Sequence, residues 1–192
     1  MRKRIMTISV MDEDGWGESV ERYQWSDSGQ ELLVQLTESL RVYVVKGGVT
    51  ERSVIPVGFG DILEIGSAAG GWWLLTKQGD VVAYRQGLEG RDLPLEGAVA
   101  SEMSLPTVSP NGRIIACVVG NLGVGFWSTS DGARLFGIKL LRDGDEESPL
   151  GELSIDSMNW SPDSRHLAIQ PGFPMAELLV VDVEKQKCLA QL

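Results

Sequence analysis

Histidine occurs once and cysteine twice in the 192 residues of this chain. One imidazole, His166, cannot furnish a multi-histidine metal site or several acid-base centres, and any serine triad would have to recruit it. It stands beside Arg165 in a strand-like run, so its reading is structural. Cys117 and Cys188 are far apart and at no metal or redox spacing. Cys117 lies within Arg113-Ile114-Ile115-Ala116-Cys117-Val118-Val119 and reads as a small buried apolar residue.

Positive charge is also scarce. Against 27 acidic residues stand 17 basic ones, a formal balance of −10 that repels polyanions. The one dense basic cluster is Arg2-Lys3-Arg4, and no nucleic-acid partner is expected. Long apolar runs are missing, so no membrane-spanning segment is expected. The apolar stretch 5–11 is too short for a secretory signal and lacks a small-residue cleavage site, which makes a soluble, cytoplasmic protein the expectation. No segment carries a sustained helical stripe.

What the chain does contain is a repeat. Ser26-Asp27-Ser28-Gly29 precedes Gln30-Glu31-Leu32-Leu33-Val34, Ser109-Pro110-Asn111-Gly112 precedes 113–119, and Ser161-Pro162-Asp163-Ser164 precedes Arg165-His166-Leu167-Ala168-Ile169. A degenerate copy is Ser67-Ala68-Ala69-Gly70 before Gly71-Trp72-Trp73-Leu74-Leu75. The serines fall at 26, 67, 109 and 161, hence intervals of 41, 42 and 52. The last interval is longer because it holds Arg142-Asp143-Gly144-Asp145-Glu146-Glu147-Ser148-Pro149, an inserted acidic loop.

Each unit continues in one order: the tetrad, an apolar strand, a polar turn, a second β-branched and aromatic strand (42–45, 81–84, 124–127, 178–181), another turn and a short final segment. A first strand precedes each tetrad, at 20–25, 62–65, 103–108 and 155–160. Four units of four antiparallel strands emerge, at 16–57, 58–99, 100–141 and 153–192, in one all-β domain spanning 1–192. Ile5 to Met11 reads as an extra strand, and 142–152 as the loop. A period near 40 fits a propeller blade, whose faces are covered by neighbouring sheets.

The pieces WSDSGQELLV, VSPNGRIIACVV and WSPDSRHLAI, each followed by a strand such as RVYVV, VGFW or ELLVVDV, resemble the WD-repeat and Tol-type β-propeller families over roughly 16–192. The resemblance implies that the Ser-Pro-Asp-Gly type of turn joins a blade's first two strands. It is specific for architecture and unspecific for activity. The glycine-histidine element of full WD repeats is absent, and Phe126-Trp127-Ser128 lacks the aspartate that Val181-Asp182 keeps. Four such units imply a closed four-blade ring, an arc, or a segment completed by a second copy or another protein.

Ser161 and Asp163 could pass for a nucleophile beside an acid. Their recurrence as Ser26/Asp27 and Ser109/Asn111, with Pro110 and Pro162 fixing φ and Gly29 and Gly112 tolerating unusual backbone angles, points to structural turns. The acidic runs Asp12-Glu13-Asp14-Gly15 and Asp143 to Glu147 do not complete an EF-hand loop. No metal or cofactor is therefore expected.

Six tryptophans offer anchors. Trp25 and Trp160, each just before a serine, read as repeated core. Trp72 and Trp73 must point to opposite faces of a strand. Trp16, Trp72 and Trp127, with Asp143, Asp145, Glu146 and Glu147, are the candidate partner-binding residues. The function expected is a noncatalytic protein-interaction scaffold. The alternatives are a propeller-based hydrolase or lyase using Asp61, Asp80, Asp143 and Asp145, and a small-ligand or carbohydrate binder.

Overall fold

The computed structural model describes residues 19–37, 39–45, 50–56, 62–87, 90–120, 123–139, 154–172 and 178–191. The extra strand at 5–11 and the acidic loop at 142–152 lie outside them. Alternation of apolar and polar residues, broken by glycine, serine and proline turns, yields sixteen strands among the described residues. Blade 1 holds β1 (Val20–Trp25), β2 (Glu31–Leu36), β3 (Ser39–Val44) and β4 (Thr50–Pro56). Blade 2 holds β5 (Ile62–Ala68), β6 (Gly71–Gln78), β7 (Val81–Gln86) and β8 (Leu93–Val99). Blade 3 holds β9 (Met103–Val108), β10 (Ile114–Val119), β11 (Gly123–Ser128) and β12 (Arg134–Lys139). Blade 4 holds β13 (Ile155–Trp160), β14 (His166–Pro171), β15 (Leu179–Asp182) and β16 (Lys187–Gln191).

Every sheet is an antiparallel meander in chain order. The only helical element among the described residues is a 3₁₀ turn at Ala100–Glu102. In each blade the first pair of strands shifts register, near the start of the first strand between Val20 and Arg22, Ile62 and Glu64, or Ile155 and Ser157, and in blade 3 between Ala116 and Val118 of the second strand, opposite Thr107 and Ser104. The third and fourth strands shift again, as at Phe126/Trp127. Such bulges sharpen the right-handed twist, which lets successive sheets stack at an angle about one axis.

The first strands adjoin one another in the sequence β1, β5, β9, β13, so they line a common centre. Among the described residues no comparable adjacency returns β13 to β1, and the four blades form an open arc.

Three apolar cores fill the three junctions, because period-2 alternation gives each blade two apolar faces. Leu33, Leu40 and Val42 meet Ile62, Ile65 and Leu74 at the first. Trp73, Leu75, Val82 and Tyr84 meet Val108, Ile115, Cys117 and Trp127 at the second. Ala116, Val124 and Phe126 meet Leu167, Ile169, Leu179 and Val181 at the third. A fourth, smaller cluster, Val34, Leu36 and Tyr43, lies on the face of blade 1 turned away from blade 2.

Candidate functional site

The turns between first and second strands carry the residues that looked chemical. In three of them the serine hydroxyl accepts from the backbone N–H five residues on: Glu31 N to Ser26 Oγ at 3.1 Å, Ile114 N to Ser109 Oγ at 3.0 Å and His166 N to Ser161 Oγ at 2.9 Å. The third residue of each tetrad then accepts from the N–H two positions on, as Gln30 N to Ser28 Oγ, Arg113 N to Asn111 Oδ1 and Arg165 N to Asp163 Oδ1. Ser109 and Ser161 donate to Asn111 Oδ1 and Asp163 Oδ1 at 2.8 and 2.6 Å. These bonds hold the Asp163 carboxyl below the usual carboxylate range, the Ser161 hydroxyl contributing most. The Ser161 hydroxyl and the Asp163 Oδ1 of the apparent serine-acid pair are therefore engaged locally.

The fourth tetrad position takes the left-handed conformation, at Gly29 (φ 65°), Gly112 (φ 70°) and Ser164 (φ 63°). A serine there is strained, and its hydroxyl supplies the compensation by accepting from Asn111 N of the previous blade at 3.0 Å.

That bond is one link of a belt. Asp27 does not hold its own turn as the sequence suggested. Ser28 takes that part, and Asp27 reaches blade 2, where Ser67 Oγ and Gly70 N both donate to its carboxylate at 2.9 Å. Ala69 N in turn donates to the Pro110 carbonyl of blade 3 at 3.0 Å. The four turns are thus tied in series along one rim. The supposed fourth copy of the tetrad differs in kind: Ser67 and Ala68 lie inside β5, and the reversal is a two-residue turn of Ala69 (φ 53°) and Gly70 (φ 76°).

Trp127, expected at a partner surface, is fully buried at the second junction. Its indole lies over Gly125, where a Cβ would strike the ring, and its Nε1–H donates to the Glu96 carbonyl at 2.9 Å. Two sheets enclose it, so in this fold it is core. Trp72 is half-buried against the first junction while Trp73 faces the second, so both sides of β6 are junction faces. Trp25, expected in the core, is 43% exposed, and among the described residues no other sheet covers the inner strand of blade 1 on that side. Trp160 packs edge-on against Phe126, with ring centroids 6.3 Å apart, and its buried Nε1–H has no hydrogen-bond partner among the described residues.

Val20 and Tyr23, at 55% and 67% exposure, join Trp25 on the same side of β1. The sequence signal for this row was present in VERYQW, but exposure depends on which sheet stands next to it. Trp16, Asp143, Asp145, Glu146 and Glu147 lie outside the described residues.

The titratable groups do not converge. Asp80 sits in the β6–β7 turn, and its backbone carbonyl accepts from Ala100 N. Asp61 is outside the described residues. Among the described residues no group of three or more His, Cys, Asp or Glu is placed to hold a metal ion. The Lys185 ammonium and backbone N–H both donate to Asp182, bringing its carboxyl down to about 2. Burial pushes the Cys117 thiol far up, leaving it inert. An open cleft of about 500 Å³ lies along β11 and β12, lined by Gly125, Phe136 and Gly137 together with Glu96, Arg134 and Lys139. Among the described residues no helix is long and apolar enough to cross a membrane.

No family model matches the chain, and no curated protein matches it. It is similar to a chain of a solved structure described as the crystal structure of a mitotic checkpoint complex, with a TM-score of 0.63 and 14% identity, over 95% of this chain and 52% of the other. That chain is a WD40 propeller. The chain described here has a propeller-like all-β fold and spans about half the length of the propeller chain it matches.

Proposed function

We propose that this protein is a noncatalytic, cytoplasmic interaction scaffold of the WD-repeat-like type, a propeller segment that works inside a protein assembly. One observation carries the reading. Ser161 and Asp163, which could pass for a nucleophile beside an acid, are engaged in their own turn, whereas Val20, Tyr23 and Trp25 present a row of large apolar groups to solvent. Aromatic residues with a polar tip are effective interface anchors, and exposed apolar rows mark contact surfaces. The structural match to a propeller from a multi-protein complex is consistent with this class of role.

The test is affinity capture from native extract with the wild-type chain and with Tyr23→Asp, each captured protein being identified and then rebound in pure form. Loss of a defined partner with Tyr23→Asp supports the scaffold. Specific turnover of a substrate by the purified chain, abolished by Ser161→Ala in a protein that remains folded, would refute it.

A further inference from the structure

Three glycines, Gly123, Gly125 and Gly137, line the cleft along β11 and β12. Two of them are required by the fold, because a Cβ on Gly123 would press on the Ile138 carbonyl at 2.8 Å and one on Gly125 would strike the Trp127 ring. Gly137 is under no such demand. A Cβ there would meet the movable tip of Arg134 at 3.2 Å and the Val124 carbonyl at an ordinary 3.6 Å, and its backbone does not take a positive φ. It nevertheless sits inside β12, where glycine weakens a strand and offers no side chain to pack. A strand glycine that its own fold does not need leaves room for the close approach of a ligand or another backbone.

β12 is the outermost strand of blade 3, so the cleft opens at the perimeter of the arc. Val119 and Leu135 give it apolar walls, and Leu135, at the bulge of β12, is 43% exposed. Its charge is opposite to that of the whole molecule. The lining holds two cations, Arg134 and Lys139, and one carboxylate, Glu96, in a chain whose net charge is −10. These charges are sorted by position. Glu96 stands at the Arg134 end, where its carboxylate accepts from Arg134 N at 3.1 Å while the guanidinium lies over Trp127, 5.7 Å from the ring centroid. Two residues beyond Gly137, the Lys139 ammonium forms no ion pair among the described residues.

We infer that this cleft docks an extended segment of a partner protein in which an apolar side chain and an Asp or Glu lie two residues apart. In an extended chain, residues i and i+2 point to one side and stand about 6.6 Å apart, which is also the step from Gly137 to Lys139 along β12. The apolar side chain rests on Gly137 between Val119 and Leu135, and the carboxylate meets Lys139. The opposite placement would set that carboxylate against Glu96, so the acid sits at one end only. Sheet surfaces that bind peptides select in this way, by alternate side chains. The proposal rests on the scaffold reading and deepens it by giving the chemistry of one partner.

The experiment is selection from a random linear peptide library on the full 192-residue chain, followed by fluorescence anisotropy of the selected peptides. Peptides that share an apolar and an acidic residue at this spacing are expected. Lys139→Glu, at an exposed site, should weaken them about fivefold to tenfold, and replacing the peptide's acid by its amide should remove most of that difference. Gly137→Val should abolish binding with circular dichroism unchanged. A wild-type chain that retains no peptide, selected peptides rich in Lys and Arg, or affinities that Lys139→Glu leaves unchanged would each overturn the proposal. If a partner is still captured by the wild type and lost with Tyr23→Asp, the scaffold stands without this cleft, whereas specific turnover by the purified chain removes the scaffold itself.

Discussion

Replacing Ser164 separates two opposing effects at one residue. Its backbone sits at φ 63°, where an L side chain costs about 1–2 kcal/mol relative to a right-handed conformation. Its hydroxyl, on a residue only 7% exposed, accepts from Asn111 N of blade 3 at 3.0 Å. Ser164→Ala keeps the strained backbone and removes the acceptor, leaving a half-buried N–H without a partner, so a loss of about 1–2 kcal/mol is expected. Ser164→Gly loses the same bond but relieves the strain, part of which returns as greater freedom of the unfolded chain, so it should lie within about 1 kcal/mol of wild type.

The two variants should therefore differ by about 1 kcal/mol, with glycine the more stable. Urea denaturation followed by far-ultraviolet circular dichroism resolves this. With a slope of about 2–3 kcal/mol per molar, the midpoints should differ by roughly 0.3–0.5 M at unchanged slope. An alanine variant as stable as wild type would show that the inter-blade bond contributes nothing, and the belt would lose its energetic basis.

Trp127→Ala should cost about 3–5 kcal/mol in the same assay, because the ring is fully enclosed and its N–H is bonded. Trp25→Ala should cost under about half of that in a dilute sample, and equal losses would contradict the described burial. Gly125→Val, whose Cβ would strike the Trp127 ring, should destabilise by about 1–3 kcal/mol, and a neutral result would mean that the indole does not lie over that glycine. Asp182, at about 2, titrates below an unfolded aspartate near 4. Between those values the unfolded chain binds more protons, so its stabilisation is present above about pH 4 and is lost as pH falls toward 2. Asp182→Asn should lower the denaturation midpoint at pH 6 and flatten its fall between pH 4 and 2; identical acid slopes would refute the assignment.

Strand order and the four-unit repeat were legible because alternation and turn chemistry are local properties. The segment 103–108 shows both the success and its limit: the strand was readable, but not the positive φ of Leu105 (48°) inside its bulge. The last strand of blade 2 runs from Leu93 to Val99, longer than the short final segment expected, since Gly97 (φ 66°) carries the chain through an irregularity that spacing does not reveal. Asp27 and Ser28 can both accept hydrogen bonds, and only three-dimensional distance decides that one serves the turn and the other the next blade. Trp25 and Trp127 were assigned the wrong way round for a related reason. Alternation says which face a side chain takes, whereas burial depends on whether another sheet stands against that face.

The belt divides the molecule into two rims with different freedom to change. On the tied rim each turn holds its own backbone and a neighbour's, and Ala69 and Ser164 tolerate unfavourable angles to keep the links. An extra residue there would break a bond in two blades at once. On the opposite rim the backbone contacts Gly120 N to Glu102 O and Gly172 N to Ser154 O stay within one blade, and the Arg22 guanidinium reaches the Ile62 carbonyl of blade 2 at 3.5 Å through a flexible side chain. β12 ends at Lys139 and β13 begins at Ile155 on that side. Length variation between related molecules, and insertions made for labelling or for grafting a binding loop, should therefore accumulate on one side of the arc only.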